Sequence, residues 1–327
     1  MGVLGELGVG VLRQGHPRLL EVLACRRRHG SNPANAPGLA TLPGGPRVVA
    51  VTSRIGDTLP AVEAWPVTTA AVGVVARDGT LLGAHGPLDT EFRLASVTKL
   101  LTAYAVLVAV EEEAVSLDDP AGPPGATVRH LLAHASGVSP DSAAVVASAV
   151  GARRVYSNAG YELLAGAVEA ATGMPFAAYL REGVLAPLGM TSTALPGSAA
   201  RDGVSTLEDL LAFARELQAP QLLHPDTLAG ATSVQFPGLA GVLPGYGRQD
   251  PNDWGLGPEL RGTKAPHWMA AAASPRAFGH FGQSGTYLWV DPEAGAACVC
   301  LTDRAFGEWA AQAWQPFNDE VLDAVRG

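Results

Sequence analysis

Lysine is almost absent from this chain. Its 327 residues contain two, Lys99 and Lys264, and every other permanently basic side chain is arginine. Ordinary surface charge is therefore met without lysine, which makes Lys99, three residues after a serine at the head of an apolar helix, a residue to explain. Cysteine is nearly as scarce, at three residues, which excludes the disulfide framework of small secreted domains. Cys298 and Cys300 fall in "AACVCLT", which reads as a strand, and are expected on its opposite faces as buried free thiols. Cys25 is remote from both. No apolar run approaches the ~18 residues of a membrane-spanning helix, so none is expected.

Net positive charge is lacking too. The formal charge is −9 and the pI near 5.3, so neither nucleic acid nor an anionic membrane is expected as a partner. The N-terminus has no basic start and carries Glu6 early, a poor fit to a secretory signal, so a cytoplasmic setting is expected. Walker and dinucleotide glycine motifs are missing, and nucleotide cofactors are not expected. "GQSGT" at 282–286 misses the Gly-x-Ser-x-Gly elbow of α/β-hydrolases, because Thr286 takes the last glycine's place. His130 and His134 lie one helical turn apart, yet no Glu follows His130. They read as structural histidines and no metal site is expected.

What is present is a globular balance, 47% hydrophobic and 16% charged. Residues 1–46 end in "GSNPANAPGLATLPGGPR", a linker-like composition, and are expected to form a poorly ordered extension. "TTAAVGVVARDGTLLGAHG" (68–86) reads as a hairpin about an Asp-Gly turn, and "GTYLWVDPEAGAACVCLTD" (285–303) as another. Between them, 127 to about 218 reads as almost wholly helical. "NAGYELLAGAVEAATG" stops at Gly173 as a helix would, and Ser205 with Glu208 has capping-box spacing. A last amphipathic helix is expected over about 308–325. The fold class is therefore α+β, an antiparallel sheet built from both chain ends and flanked by helices, with an inserted all-α part. The α/β part is expected at about 47–125 and 245–327, and the helical part at about 126–244. A cleft between them is the natural place for a site.

Three constellations carry chemistry. In "FRLASVTKLLTAYAVLVAV", Ser96 and Lys99 are three residues apart and share one helix face. A serine hydroxyl is a weak nucleophile until a neighbouring base takes its proton, and a desolvated lysine can do so. In "VYSNAGY", Tyr156 near a lysine cation is expected to have a lowered phenol pKa and to act as base or acid. Asn158 offers an amide to orient Lys99 or a substrate carbonyl; the plainer reading is that Ser157 or Asn158 caps the helix. In "FGHFGQSGTYLWVDP", His280 and Phe281 precede Gly282, a glycine that permits close backbone approach of a substrate to the strand edge.

Ser-x-x-Lys, Tyr-x-Asn and His-x-Gly in this order before a terminal hairpin resemble the serine β-lactamase and penicillin-binding-protein superfamily. The resemblance is nearer to class C β-lactamases, D-aminopeptidase relatives and family VIII carboxylesterases, and covers about residues 65–325. It implies Ser96 as acylated nucleophile, Lys99 as the group holding off its proton, and Tyr156 as base. It also implies Asn158 as a contact of Lys99 and substrate, and the backbone N–H groups of Ser96 and Gln283 as oxyanion hole. His280 takes the place of a lysine in the relatives, and Phe281 that of a small or hydroxyl residue. The resemblance thus implies a cofactor-free serine hydrolase of a small-molecule ester or amide. A neutral carboxylic ester comes first, because Phe281 beside the nucleophile and an uncharged His280 suit it. D-amino-acid amides or peptides and weak β-lactam hydrolysis come next, and a non-catalytic ligand-binding relative is the rival of another class.

Overall fold

The strand runs from the two chain ends meet in one sheet. The computed structural model describes residues 54–327; the expected extension over 1–46, with Cys25, lies outside them. Strand β1 (Ala70–Ala76) pairs antiparallel with β10 (Ala296–Thr302) along its whole length, from Ala70 opposite Thr302 to Ala76 opposite Ala296. With β2 (Leu81–His85), β7 (Glu259–Leu260), β8 (Phe278–Gly282) and β9 (Thr286–Asp291), they form a six-stranded sheet of order β2-β1-β10-β9-β8-β7. Both expected hairpins are present. Two short pairs lie apart from this sheet: β3 (Phe92–Arg93) with β4 (Val204–Ser205), and β5 (Gly241–Leu243) with β6 (Gly247–Gln249).

Every residue of β9 and β10 is buried because helices cover both faces. One face packs Val72, Val74, Trp289 and Cys298 against α1 (Arg54–Thr58) and the long α8 (Glu308–Arg326). Cys298 and Cys300 share this face, which corrects their expected opposition: residues two apart in a strand return to the same side. Both are free and buried. The other face carries Ala71, Val75, Leu288, Val299 and Leu301 in the larger core, around α2 (Thr98–Glu111). Twelve of the 14 residues of α2 are buried, as expected of a helix apolar on all sides.

The segment from 127 to 218 is less helical than its composition suggests. It holds α3 (Val128–Leu132), α4 (Asn158–Thr172), α5 (Phe176–Leu180) with a π-helical turn after it, and α6 (Leu207–Glu216); α7 (Pro225–Ala231) follows. Left-handed backbone at His134, Gly137 and Gly151 breaks the path from α3 to α4. Arg154 holds that irregular path together. Its buried guanidinium donates to the carbonyls of Asn252 (3.0 Å), Ala133 (2.8 Å) and Phe236 (3.0 Å), giving loop backbone the partners that a helix would supply. The α6 cap lies one residue later than expected: Thr206 accepts from the Asp209 N–H, while Ser205 belongs to β4. Although α6 lies within 126–244, it packs on the sheet, where Leu211 fills the space that a Cβ on Gly73 would enter.

Candidate active site

The nucleophile's position comes from a break in regular backbone. After β3, residues Ala95–Val97 form a single 3-10 turn that leads into α2. Ala95, directly before Ser96, has φ of 44°, a left-handed conformation that costs a non-glycine residue about 1–3 kcal/mol and recurs at functional turns. The turn is clamped from the sheet. A Cβ on Gly282 would lie 2.3 Å from the Leu94 carbonyl oxygen, and Thr286 Oγ1 donates to that oxygen at 3.0 Å. Gly282 thus permits close approach of β8 to the nucleophile's own loop, where a close approach of substrate was expected.

Lys99, the second residue of α2, is fully buried and reaches Ser96 Oγ at 3.3 Å. Its Nζ also donates to Asn158 Oδ1 at 2.7 Å and to the Ala200 carbonyl at 2.9 Å. It lies 4.7 Å from the centre of the Tyr156 ring and 5.4 Å from that of Tyr161. None of these hydrogen-bond partners is a carboxylate. Burial, reinforced by the Arg201 cation, brings the Lys99 pKa down to about 7 against the smaller opposing pull of Glu162 and Asp141.

Tyr156 donates to Ser96 Oγ at 2.7 Å. Its phenol pKa moves opposite to expectation: burial pushes it well up, and the hydrogen bond with Ser96 opposes this only in part. The resting tyrosine is therefore a neutral donor. Ser157 and Asn158 divide the two readings considered for them. Ser157 caps α4, accepting from the Gly160 N–H at 2.9 Å. Asn158 turns Oδ1 to Lys99 and donates from Nδ2 to Asp141 at 3.0 Å.

His280 lines the cleft from β8. Its Nδ1 meets the Phe281 carbonyl at 2.7 Å, so Nδ1 carries the proton, and Nε2 is a buried acceptor with no hydrogen-bond partner among the described residues. Burial, with the Lys99 charge, pulls its pKa to about 3 and keeps the ring neutral. Phe281 corrects an expectation: it borders the cleft, but its ring packs among Tyr246, Trp268, Phe306 and Trp314 in the second core. The Gln283 carbonyl accepts from the Phe306 N–H at 2.9 Å, tying the turn after β8 to the segment before α8. His130 and His134 have structural partners, Thr127 Oγ1 at 2.9 Å and the Ser157 N–H at 3.2 Å respectively.

Ser96, Tyr156, Asn158 and His280 converge on a cleft of about 280 Å³ walled by Leu243, Pro244 and Trp254. A more polar basin of about 560 Å³ adjoins it through Ala95, Arg201 and Gln283. Sequence reasoning missed a buried ionic cluster at the cleft wall. Glu259 accepts from Lys264 Nζ at 2.9 Å and Trp268 Nε1 at 2.8 Å, and meets His267 Nε2 at 2.9 Å. Burial alone would raise the Glu259 pKa, but Lys264 and His267 hold it well below the usual carboxylate range. The scarcity of lysine was the signal that could have found it: the second lysine is as inaccessible as the first, at 2% exposure.

The arrangement supplies a nucleophile, a neutral-capable amine touching it and a phenol donor, and so can carry acyl transfer through a serine ester. A solved β-lactamase (Mb2281c) from Mycobacterium bovis is 50% identical over 81% of this chain and 98% of its own, with a TM-score of 0.80. The LovD6 mutant of simvastatin synthase (LovD) from Aspergillus terreus shares the fold at 18% identity and a TM-score of 0.68, over 82% of this chain and 93% of its own. A D-alanyl-D-alanine-carboxypeptidase/endopeptidase AmpH from Escherichia coli is 29% identical over 142 residues, and the match spans 32% of this chain and 37% of that protein. Residues 63–323 match the profile of the β-lactamase family, and the chain belongs to that family of serine hydrolases.

Proposed function

We propose that the protein hydrolyses a small, neutral carboxylic ester through an acyl-enzyme on Ser96. The observation that carries this reading is the Lys99–Ser96–Tyr156 contact set, in which a buried lysine with a pKa of about 7 touches the serine hydroxyl without a carboxylate partner. Lys99 in its neutral form takes the Ser96 proton as Oγ attacks the ester carbonyl. Tyr156, a neutral phenol, donates to the leaving oxygen rather than beginning as the base. The N–H groups of Ser96 and Gln283 are assigned to the developing oxyanion. Water then attacks the acyl carbon and the same groups act in reverse.

A neutral substrate is favoured because the wall residue His280 is uncharged and so supplies no cation to hold a carboxylate. A D-amino-acid peptidase is the second reading, favoured by the partial match to the carboxypeptidase. Intact-protein mass spectrometry after treatment with a fluorophosphonate, and separately with a penicillin, tests both. The expected result is a fluorophosphonate adduct on the wild type that Ser96→Ala lacks. A retained penicillin adduct would move the peptidase reading to first place. With no adduct from either reagent, a non-catalytic ligand-binding role would replace both.

A further inference from the structure

On its Tyr156 side the cleft adjoins a groove of about 590 Å³, and the two share Tyr156 and Pro244. Pro140, Ala147, Val155 and Val242 line it. Its two exposed arginines are already engaged: Arg153 donates to the Ala147 carbonyl at 3.1 Å, and Arg248 pairs with Asp250 at 2.9 Å. Val242 is 62% exposed on β5, and Val145 and Val146, just before Ala147, are 52% and 54% exposed. Val242 thus adds exposed apolar surface to the groove wall.

The proton path indicates which part of a substrate belongs there. In acylation, Ser96 Oγ bonds to the carbonyl carbon while the bond from that carbon to the alcohol oxygen breaks. The Ser96 proton passes to Lys99, Tyr156 gives its own proton to the departing alkoxide, and the proton on Lys99 then replaces the one Tyr156 gave. The departing oxygen must therefore lie within hydrogen-bond reach of Tyr156 Oη. Whatever that oxygen carries leaves the cleft from beside Tyr156, and the groove is the adjoining space that shares Tyr156 with it. The polar basin borders Ala95, Arg201 and Gln283 and does not include Tyr156 in its wall.

We propose that this groove is the leaving-group site and that it selects esters of apolar, aliphatic alcohols. The proposal rests on the esterase reading and adds which half of the ester is recognised. Two short series test it: ethyl, butyl and hexyl acetate, and ethyl acetate, butyrate and hexanoate. Along the alcohol series kcat/KM is expected to rise by up to roughly fourfold per added methylene. Val242→Asp, a surface change, should remove at least tenfold of hexyl acetate kcat/KM and leave ethyl acetate within twofold. A flat alcohol series beside a rising acyl series would overturn the assignment, as would equal losses on ethyl and hexyl acetate. Calorimetric binding of 1-hexanol to the wild type and to Val242→Asp judges the groove apart from turnover. Weaker binding by the variant supports the site and equal binding rejects it, even where loss of all ester turnover has rejected the esterase reading.

Discussion

The two lysines make a natural comparison, since both are buried and burial lowers the pKa of both. Lys264 has a carboxylate at 2.9 Å and donates to the carbonyls of Asp253 and Leu260 at 2.8 and 2.6 Å. The Glu259 charge pulls its pKa back up. Lys99 has an amide, a carbonyl, a hydroxyl and two aromatic rings about it. The same side chain is thus a charged brace in one place and a neutral-capable amine in the other. Desolvation is common to both, and the counterion decides the role.

Replacing each lysine by methionine should separate these roles. Lys99→Met is expected to lower ester kcat/KM by roughly 10²–10⁴-fold, the usual range for a lost general base. The same change should stabilise the fold in denaturant titrations at neutral pH. The folded Lys99 pKa of about 7 lies below its ordinary value of 10.5, so the unfolded chain binds the extra proton between those pH values. Wild-type stability should therefore rise with pH across that window, and the methionine variant should lose this rise. Equal stability of the two proteins at pH 7 would contradict the assigned pKa.

Lys264→Met should act in the opposite sense on stability. It leaves the buried Glu259 carboxylate incompletely compensated, at a cost of about 3–5 kcal/mol in the same titration. A neutral result would mean that Lys264 is no brace and would remove the contrast. The smallest effect concerns the rim. Wild-type kcat/KM should fall as pH drops below about 7, because protonated Lys99 cannot accept the Ser96 proton. Arg201 adds to the lowering of that pKa, so Arg201→Ala should move the limb to higher pH. The Arg201 side chain is 59% exposed, so a shift of only a few tenths of a pH unit is expected, shrinking further with salt. A shift to lower pH would reject the assigned direction.

The same contrast explains what the sequence made legible. The Ser96–Lys99 spacing could be read because a 3-10 turn running directly into α2 fixes it locally, and Gly173 because the end of α4 takes φ of 71°. Both hairpins were legible from strand runs with turn residues between them. The brace was not, because "WGLGPELRGTKAPHW" has no periodicity and its charges meet only through tertiary packing. Arg154 was missed for the same reason, since an arginine in a loop reads as solvated. The Tyr156 shift was misjudged because a nearby cation is visible in a motif, whereas the depth of burial is not. The cysteine pair was misplaced by a slip of strand parity rather than by missing information.

The register of β1 against β10 bears on how the protein is made. Ala70 and Thr302 face each other near the two ends of the described chain. During synthesis the β1–β2 hairpin must wait, its inner edge unpaired, until the ribosome has released the chain through Thr302. The Ser96 turn waits with it, because Gly282 and Thr286, which clamp it, are also translated late. Such distant pairings fold slowly and leave strand edges open to wrong partners. A nascent chain stalled before residue 278 should therefore hold Ser96 and Lys99 yet fail to react with a fluorophosphonate.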